Sequence, residues 1–587
     1  MASHHEEEAL GKVYDGRLMR RLAGYLRPYG WSIGVAMLFL VVIAMLELSG
    51  PYIVKLAIDG VIASQNLDGL GPLAALYLSL LLLVFVLRYA QGYLLNSAGQ
   101  HAMHDLRVQL FGHVQRLSLS FFDRQPVGRL LTRLTSDVEA LNELLTSGVV
   151  AIIGDVVVLI AIAVMLVTLN WRLALVTFAC LPVLLILTET LRRGMRNAFR
   201  EVRIKLARVN ADLAENVSGM TVVQLFNREA RSFRNFDELN RDYLGANIRS
   251  VFYFALFFPL VSLTGAVAIA LIVWYGGGRV LEETLTVGGL VAFIQYLDRF
   301  FQPIRDLSEK INIFQSAMAA SERVFALLDT QPTLSEPAQP RPLPPPQGRI
   351  ELRNVWFAYE GEDWVLRDVS FTVEPGESVA IVGATGAGKT SIISLICRFY
   401  DPQRGQVLVD GVDVRELEQT DLRSRIGVVL QDPFLFAGSV ARNIRLQSPI
   451  PEAELRRAAV AVGADRFIAE LPEGYETPVR ERGAGLSVGQ KQLVSFARAL
   501  AFDPPILVLD EATSSVDTHT EAQIQDALGS LRRGRTSIVI AHRLATVRAA
   551  DRILVFHRGR LIEQGDHDEL LAHDGIYRKL HELQYRD

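Results

Sequence analysis

The chain has 587 residues, too many for one compact core, so two or more domains are expected. Half of the residues are hydrophobic, which is high for a soluble protein, and a net charge of −4 gives no bulk attraction to nucleic acid. The two cysteines, Cys180 and Cys397, lie in different parts of the chain and do not form a disulfide framework.

The N-terminal stretch "MASHHEEEALGK" is polar and acidic and lacks the basic-then-apolar order of a cleaved signal peptide. His4 and His5 within it read as inert rather than as a metal site. Long apolar runs follow at Trp31–Leu48, Leu73–Leu87, Val149–Leu169, Leu173–Leu187 and Val251–Tyr275, with a weaker one from Val287. Several approach the roughly 20 residues a helix needs to cross roughly 30 Å of hydrocarbon. So many runs in one half of a chain exceed what a soluble core could bury.

Loop charge orients these spans. Arg17, Arg20, Arg21 and Arg27 precede the first, whereas "ASQNLDGLGP" after it has no Lys or Arg. Arg107, Arg116, Arg124, Arg129 and Arg133 follow the second span. "NWR" alone joins the third to the fourth, and Arg192, Arg193, Arg196, Arg200, Arg203, Lys205 and Arg208 follow the fourth. A short link with Glu282 and Glu283 joins the fifth to the sixth. The alternation predicts six spans, both termini in the cytosol and two long helical excursions on the cytosolic side. The excursions, Leu117–Leu141 and Lys205–Glu229, are too polar to enter lipid and need a surface to dock on. Glu47, Asp155, Glu189 and Asp298 fall inside spans, where charge is costly and marks function unless it is paired. Phe293, Tyr296, Phe300 and Phe301 recur at helical spacing, a pattern that serves packing more often than ligand binding.

"DTQPTLSEPAQPRPLPPPQG" (Asp329–Gly348) is Pro-rich, has no helix or strand period, and reads as an extended linker between a membrane domain (residues 1–328) and a second domain (residues 349–587). The second domain alternates short apolar strands with helical segments, an α/β pattern. "VAIVGATGAGKTSIISLICRF" is strand, glycine loop, helix, and Gly383, Gly388, Lys389 and Thr390 meet the G-x-x-x-x-G-K-[ST] spacing. From Gly383 through Thr385, Gly386 and Ala387 to Ser391, backbone N–H groups can curl around phosphate oxygens, reinforced by the helix N-terminus. Lys389 can reach the terminal phosphates, and Thr390 can coordinate Mg²⁺. "PPILVLDEATSS" adds a buried strand ending in Asp510, a second Mg²⁺ ligand through water, and Glu511, placed to polarise an attacking water. "SIVIAHRL" is a further strand that stops at His542, within reach of a γ-phosphate.

With "LSVGQ" (Leu486–Gln490), "LDEATSSVD" and "IAHR" in order behind this phosphate loop, the chain resembles the ATP-binding cassette (ABC) transporter family along essentially its whole length. The resemblance is to a type IV exporter half: a polytopic α-helical membrane domain followed by an α/β P-loop ATPase domain. It implies that Tyr359 stacks on adenine. It implies that Gln431 senses Mg²⁺ and the attacking water, and that Ser487 and Gly489, with Gln490 in the same set, bind the γ-phosphate. Asp517 would line a dimer seam, His542 would be the switch histidine, and Glu481–Gly483 would face the membrane domain's loops. Lys389, Gln431, Glu511 and His542 would form the hydrolytic set, and Thr390, Gln431 and Asp510 the metal ligands. In the family the signature loop faces the P-loop of a second ATPase domain, so the resemblance implies a dimer, with coupling helices near Leu117–Arg124 and Val209–Glu215. One departure is Val488, where the signature usually has glycine. A β-branched residue narrows backbone freedom. The departure points to a heterodimer with one degenerate site, a homodimer with two detuned sites being the alternative. A partly acidic, aromatic-lined cavity would suit amphipathic or cationic cargo, and the family offers drugs, lipids or peptides. A bacterial cytoplasmic (inner) membrane location and contact with its lipids follow from the same resemblance, as does an ATP-gated channel as the competing function.

Overall fold

The computed structural model describes residues 15–65, 67–510, 518–541 and 543–584. Backbone contacts divide the chain into two compact units, one of Met1–Gln115 with Val127–Thr330, the other of Arg116–Pro126 with Gln331–Asp587.

The first unit is helical. Among the described residues, four helical stretches are long and apolar enough to cross a membrane: Gly16–Ile62, Leu70–Val114, Val127–Leu169 and Glu229–Leu281. Two more long helices, Trp171–Ser218 and Val287–Asp329, carry a more mixed composition. The helix Leu70–Val114 has 45 residues, a length of roughly 68 Å against roughly 30 Å of hydrocarbon. The same element therefore continues well past the lipid, which is how the polar excursions arise. Breaks occur where sequence forces them. Asn170 is extended, and its Oδ1 accepts from Leu173 N (3.1 Å), capping the helix that "NWR" begins. Thr286 caps Val287–Asp329, while Asp59 reaches across to accept from Gly288 N (2.8 Å) and Thr286 Oγ1 (2.6 Å), tying the ends of two helices together.

The second excursion differs from its expected layout. Val209–Glu215 lies inside the continuous helix Trp171–Ser218 and makes no separate element. The chain turns instead at Gly219, forms the short helix Met220–Leu225, and passes through Asn227 at φ 50° into Glu229–Leu281. Gly219 has an ordinary negative φ, and the left-handed residue that redirects the chain into the next helix is Asn227.

The second unit contains a six-stranded sheet in the spatial order Arg560–Gly565, Arg552–His557, Ser378–Gly383, Thr536–Ile540, Ile506–Asp510, Ile426–Val429. All neighbours are parallel except the first pair. The four central strands are apolar along their length because both faces are covered. A four-stranded sheet built on Ile350–Ala358 and Trp364–Val373 packs with the helix Lys389–Ile396 in one core. The helix Val488–Ala501 belongs to a second core with Leu455, Ile468 and Leu528.

The Pro-rich segment is tied to this unit. Ser335 O and Leu417 O accept from the guanidinium of Arg398, which is 2% exposed. At the segment's end Asp410 accepts from Gly348 N (2.8 Å), Arg349 N (2.9 Å) and Arg425 Nη1 (2.9 Å), with its side chain 1% exposed. Removing one partner of such a buried pair leaves the other uncompensated, at a cost of about 3–5 kcal/mol. Asp410→Ala is therefore expected to lower the thermal midpoint of the full-length protein by several degrees. A midpoint equal to the parent's would show that the Asp410–Arg425 pair does not anchor the segment.

Candidate functional site

Strand register gathers the site. Ile540 pairs with Asp510 on one side and on the other with Ile381, two residues before the end of its strand at Gly383, so three parallel strands end close together at one edge. The phosphate loop, Asp510 and the chain leading toward position 542 leave the sheet along that carboxyl edge, where open α/β sheets bind ligands.

The loop's glycines are required by close approach. A Cβ on Gly383 would stand 2.4 Å from Phe556 O, the neighbouring strand's backbone. Gly388, at φ 96°, caps the helix Lys389–Ile396, and a Cβ there would meet Leu366 Cδ2 at 2.7 Å. Between them Ala384, Thr385 and Gly386 are exposed, while Ala387 and Ser391 are buried. Lys389 is buried, and its ammonium curls back to donate to Gly383 O (2.8 Å) and Ala384 O (3.2 Å). Burial pushes its pKa below the ordinary lysine value, and the charge of Asp510 opposes that shift. The cation is thus held against the loop, where phosphate oxygens can replace the carbonyls as acceptors. Thr390 and Gln431 are exposed, and Asp510 is half-buried at the end of its strand. These three offer a hydroxyl, an amide carbonyl and a carboxylate, hard oxygen donors of the kind Mg²⁺ takes. Glu511, Asp517 and His542 lie outside the described residues.

Tyr359 stands beside the phosphate loop, its hydroxyl 3.0 Å from Ser391 Oγ. Its ring packs edge-on against Phe357 (4.8 Å between centroids) and Tyr400 (5.1 Å). The sequence reading missed Tyr400, which follows the phosphate-loop helix in "RFYDP" and carried no spacing signal of its own. Tyr400 donates to Asp123, and Arg124 Nη2 donates to Tyr359 O (3.2 Å). Burial first, and then the Asp123 carboxylate, raise the Tyr400 hydroxyl above its ordinary pKa. Asp123 and Arg124 end the short helix Leu119–Arg124, whose capping Ser118 accepts from Thr333 N (2.9 Å) and Leu334 N (3.1 Å). This helix lies within the segment Leu117–Arg124 and contacts Tyr359 and Tyr400.

Ser487 caps the helix Val488–Ala501 in a reciprocal box: Gln490 N donates to Ser487 Oγ (3.2 Å), and Ser487 N donates to Gln490 Oε1 (2.9 Å). Gly489 is buried in the first turn. Val488 begins the helix with no positive φ and is 51% exposed. The expected loss of backbone freedom therefore has no cost here, because the position never needs glycine's conformations. What valine changes is the surface beside Ser487. Further along the helix, Arg498 donates to Asn443 O (2.9 Å) and Phe434 O (3.2 Å), fastening the signature helix to the segment that follows Gln431. Glu481–Gly483 is a tight turn with Arg482 at φ 56° and its first two residues exposed.

In the helical unit, the intramembrane acids are paired. Glu47 meets Arg88, Asp155 meets Lys310, and Glu189 meets Arg193 at 2.8 Å. Asp298 is exposed. Phe293, Tyr296, Phe300 and Phe301 are buried in one apolar cluster, so this aromatic row is packing.

The ABC transporter transmembrane region model matches residues 33–304, and the ABC transporter model matches residues 366–514. The chain is 42% identical to a fatty acid ABC transporter ATP-binding/permease protein of Mycobacterium bovis over 86% of this chain and 80% of that one. It is 39% identical to the probable multidrug resistance ABC transporter ATP-binding/permease protein YheH of Bacillus subtilis, covering 88% and 77%. It is 36% identical to an ATP-dependent lipid A-core flippase of Syntrophus aciditrophicus, covering 97% and 95%. With a membrane region and an ATP-binding cassette fused in one chain, and with relatives of this similarity along almost all of its length, the protein belongs to the ABC transporter family and is an ATPase coupled to transport.

Proposed function

We propose that this chain is one half of a dimeric exporter that uses ATP hydrolysis to move amphipathic small molecules, drugs or lipids, across a bacterial cytoplasmic membrane by alternating access. The observation that carries the reading is the shared carboxyl edge of the parallel sheet, with the Lys389 loop, Asp510 and the approach to position 542 close together. The proposed membrane domain (residues 1–328) has six spans with both termini in the cytosol. The loop charges support this topology, as do the two long helices Trp171–Ser218 and Val287–Asp329 beside the four more apolar stretches. Residues 329–348 then join it to the nucleotide-binding domain, residues 349–587.

ATP lies with its adenine on Tyr359 and its phosphates in the cradle from Gly383 to Ser391. Lys389 holds the terminal phosphates. Thr390, Gln431 and Asp510 would hold Mg²⁺, which would supply charge neutralisation at the phosphate oxygens. Ser487, Gly489 and Gln490 close on the γ-phosphate of the nucleotide bound by the partner chain, with Asp517 on the seam. The Ser487 hydroxyl accepts from its own helix and keeps its proton to donate across that seam. Glu511 orients or deprotonates the attacking water, and His542 contacts the γ-phosphate. ATP binding draws the two cassettes together, and hydrolysis releases them. The cassettes pass that movement to the spans through helices such as Leu119–Arg124, a bias on a two-state element. The cargoes for which those relatives are named, fatty acid, drugs and lipid A-core, support an amphipathic cargo. Val488, exposed beside Ser487, favours a different second chain whose own signature completes the site on this chain's P-loop.

Replacement of the water-activating carboxylate tests the chemistry. Glu511→Gln is expected to cut ATP turnover by about 10²–10⁴-fold while ATP binding persists. Hydrolysis close to the parent rate would remove Glu511 from its role. Clearing the side chain beside Ser487 tests the seam: Val488→Gly should raise turnover roughly fivefold if the valine keeps Ser487 from making one ordinary hydrogen bond across it. An unchanged rate would locate the limiting defect in the partner's carboxylate instead. Purification from the native membrane should yield a second, different half-exporter at equal stoichiometry; recovery of this chain alone, as a dimer, would establish the homodimer.

A further inference from the structure

Among the described residues, the helical unit encloses a cavity of about 740 Å³ that belongs to none of the nucleotide machinery. Its lining combines aliphatic side chains, such as Leu81, Val84 and Ile162, with a polar group formed by Arg299, Arg88, Glu47 and Asp155. The helix stretch Leu40–Gly50 on one wall spans roughly 15 Å and Tyr77–Asn96 on another roughly 28 Å, a scale that accommodates an acyl chain.

Charge bookkeeping gives the cavity a sign. Asp155 is neutralised by Lys310, and Glu47 by Arg88. Arg299 has no carboxylate partner among the described residues. Its guanidinium donates instead to a backbone carbonyl, Glu47 O, and that contact has a local cause. Pro51 lies inside the helix Gly30–Leu56 and has no N–H to give to Glu47 O, so the carbonyl is freed and the guanidinium takes it. One of five N–H donors is used in this way. Gly50 and Tyr77 lie beside the group: a Cβ on Gly50 would make ordinary van der Waals contact with the Tyr77 ring (3.4 Å) and Arg299 Nη2 (3.8 Å). The cavity therefore offers a net positive charge with unused donors beside an apolar wall, the reverse of the acidic cavity the sequence suggested.

We propose that this cavity is the cargo site and that it selects amphiphiles with an anionic head, a carboxylate or phosphate held by Arg299. The inference rests on the exporter reading for its purpose, but binding can be measured without ATP. Four probes share one oleyl chain: oleate, oleyl phosphate, oleyl alcohol and oleylamine. Binding to the purified full-length transporter in phosphatidylcholine nanodiscs at pH 8.5, where oleate is ionised, should favour at least one anion over the alcohol and the amine by about tenfold. The two anions report whether a carboxylate or a phosphate head fits better. Arg299→Gln should abolish the preference, whereas Arg299→Lys should keep most of it. Glu47→Gln frees Arg88 from its carboxylate and should widen the preference severalfold, a gain that a merely structural role for these residues does not produce. Oleylamine binding as tightly as either anion overturns the proposal, as does a preference unmoved by Arg299→Gln. A carboxylate from the partner half would pair with Arg299 and produce those same results. ATP-driven movement of all four probes without preference would leave the exporter standing and remove only this inference.

Discussion

One buried cation governs the ATPase unit. Lys389 sits where burial disfavours its charge, yet its ammonium is aimed at two carbonyls of its own loop and lies in the field of Asp510. Such an arrangement is tolerable only if the strand, loop and helix that create it are rigid. The sheet supplies that rigidity: Gly383 lies so close to the next strand that no other residue fits, and the strand before it is buried on both faces. A polyphosphate brings the oxygens this cation can bind, and it does so at the edge where Asp510 also ends. The preorganised charge is why this edge, rather than any other part of the fold, is where nucleotide chemistry belongs.

The same unit has two cores, and the phosphate loop and the signature are rooted in different ones. Ser487 is fixed by its own helix cap, and that helix is fastened by Arg498 to the segment after Gln431. A change at Gln431 thus has a short physical route to the signature, through one guanidinium and two carbonyls. On the other side of the site, Tyr359 and Tyr400 share an edge-on contact and meet the helix Leu119–Arg124 through Asp123 and Arg124. The two ends of the proposed nucleotide site are therefore fastened by different polar contacts, to segments outside the phosphate loop.

Much of this was legible in the residues. The phosphate loop and the buried strand ending at Asp510 carry composition and spacing that only a few structures satisfy, so they could be read directly. The linker's Pro content showed that it was neither helix nor strand, but not that Ser335 and Gly348 would be tied down, because Arg398 and Asp410 are distant in sequence. Tyr400 was invisible for the same reason: its role comes from a partner 277 positions away. Val488 misled because a glycine in a motif was taken to mean a special backbone, whereas the first turn of a helix is an ordinary one. Val209–Glu215 could not be told apart as a separate element because a continuous helical period has no internal mark, and the helix containing it runs on to Ser218.

The membrane half obeys a stricter rule, since a charge in hydrocarbon is costly without a partner. Read alone, Glu47 and Asp155 suggest an acidic cavity; read with Arg88 and Lys310 they are neutral pairs, and the sign of the site passes to the group left over. That group is placed by a proline. Without Pro51, Glu47 O would bond to its own helix and Arg299 would have no fixed acceptor. A single missing N–H thus positions a guanidinium beside an apolar wall, and the polarity of the cavity follows from backbone chemistry more than from a count of charged residues.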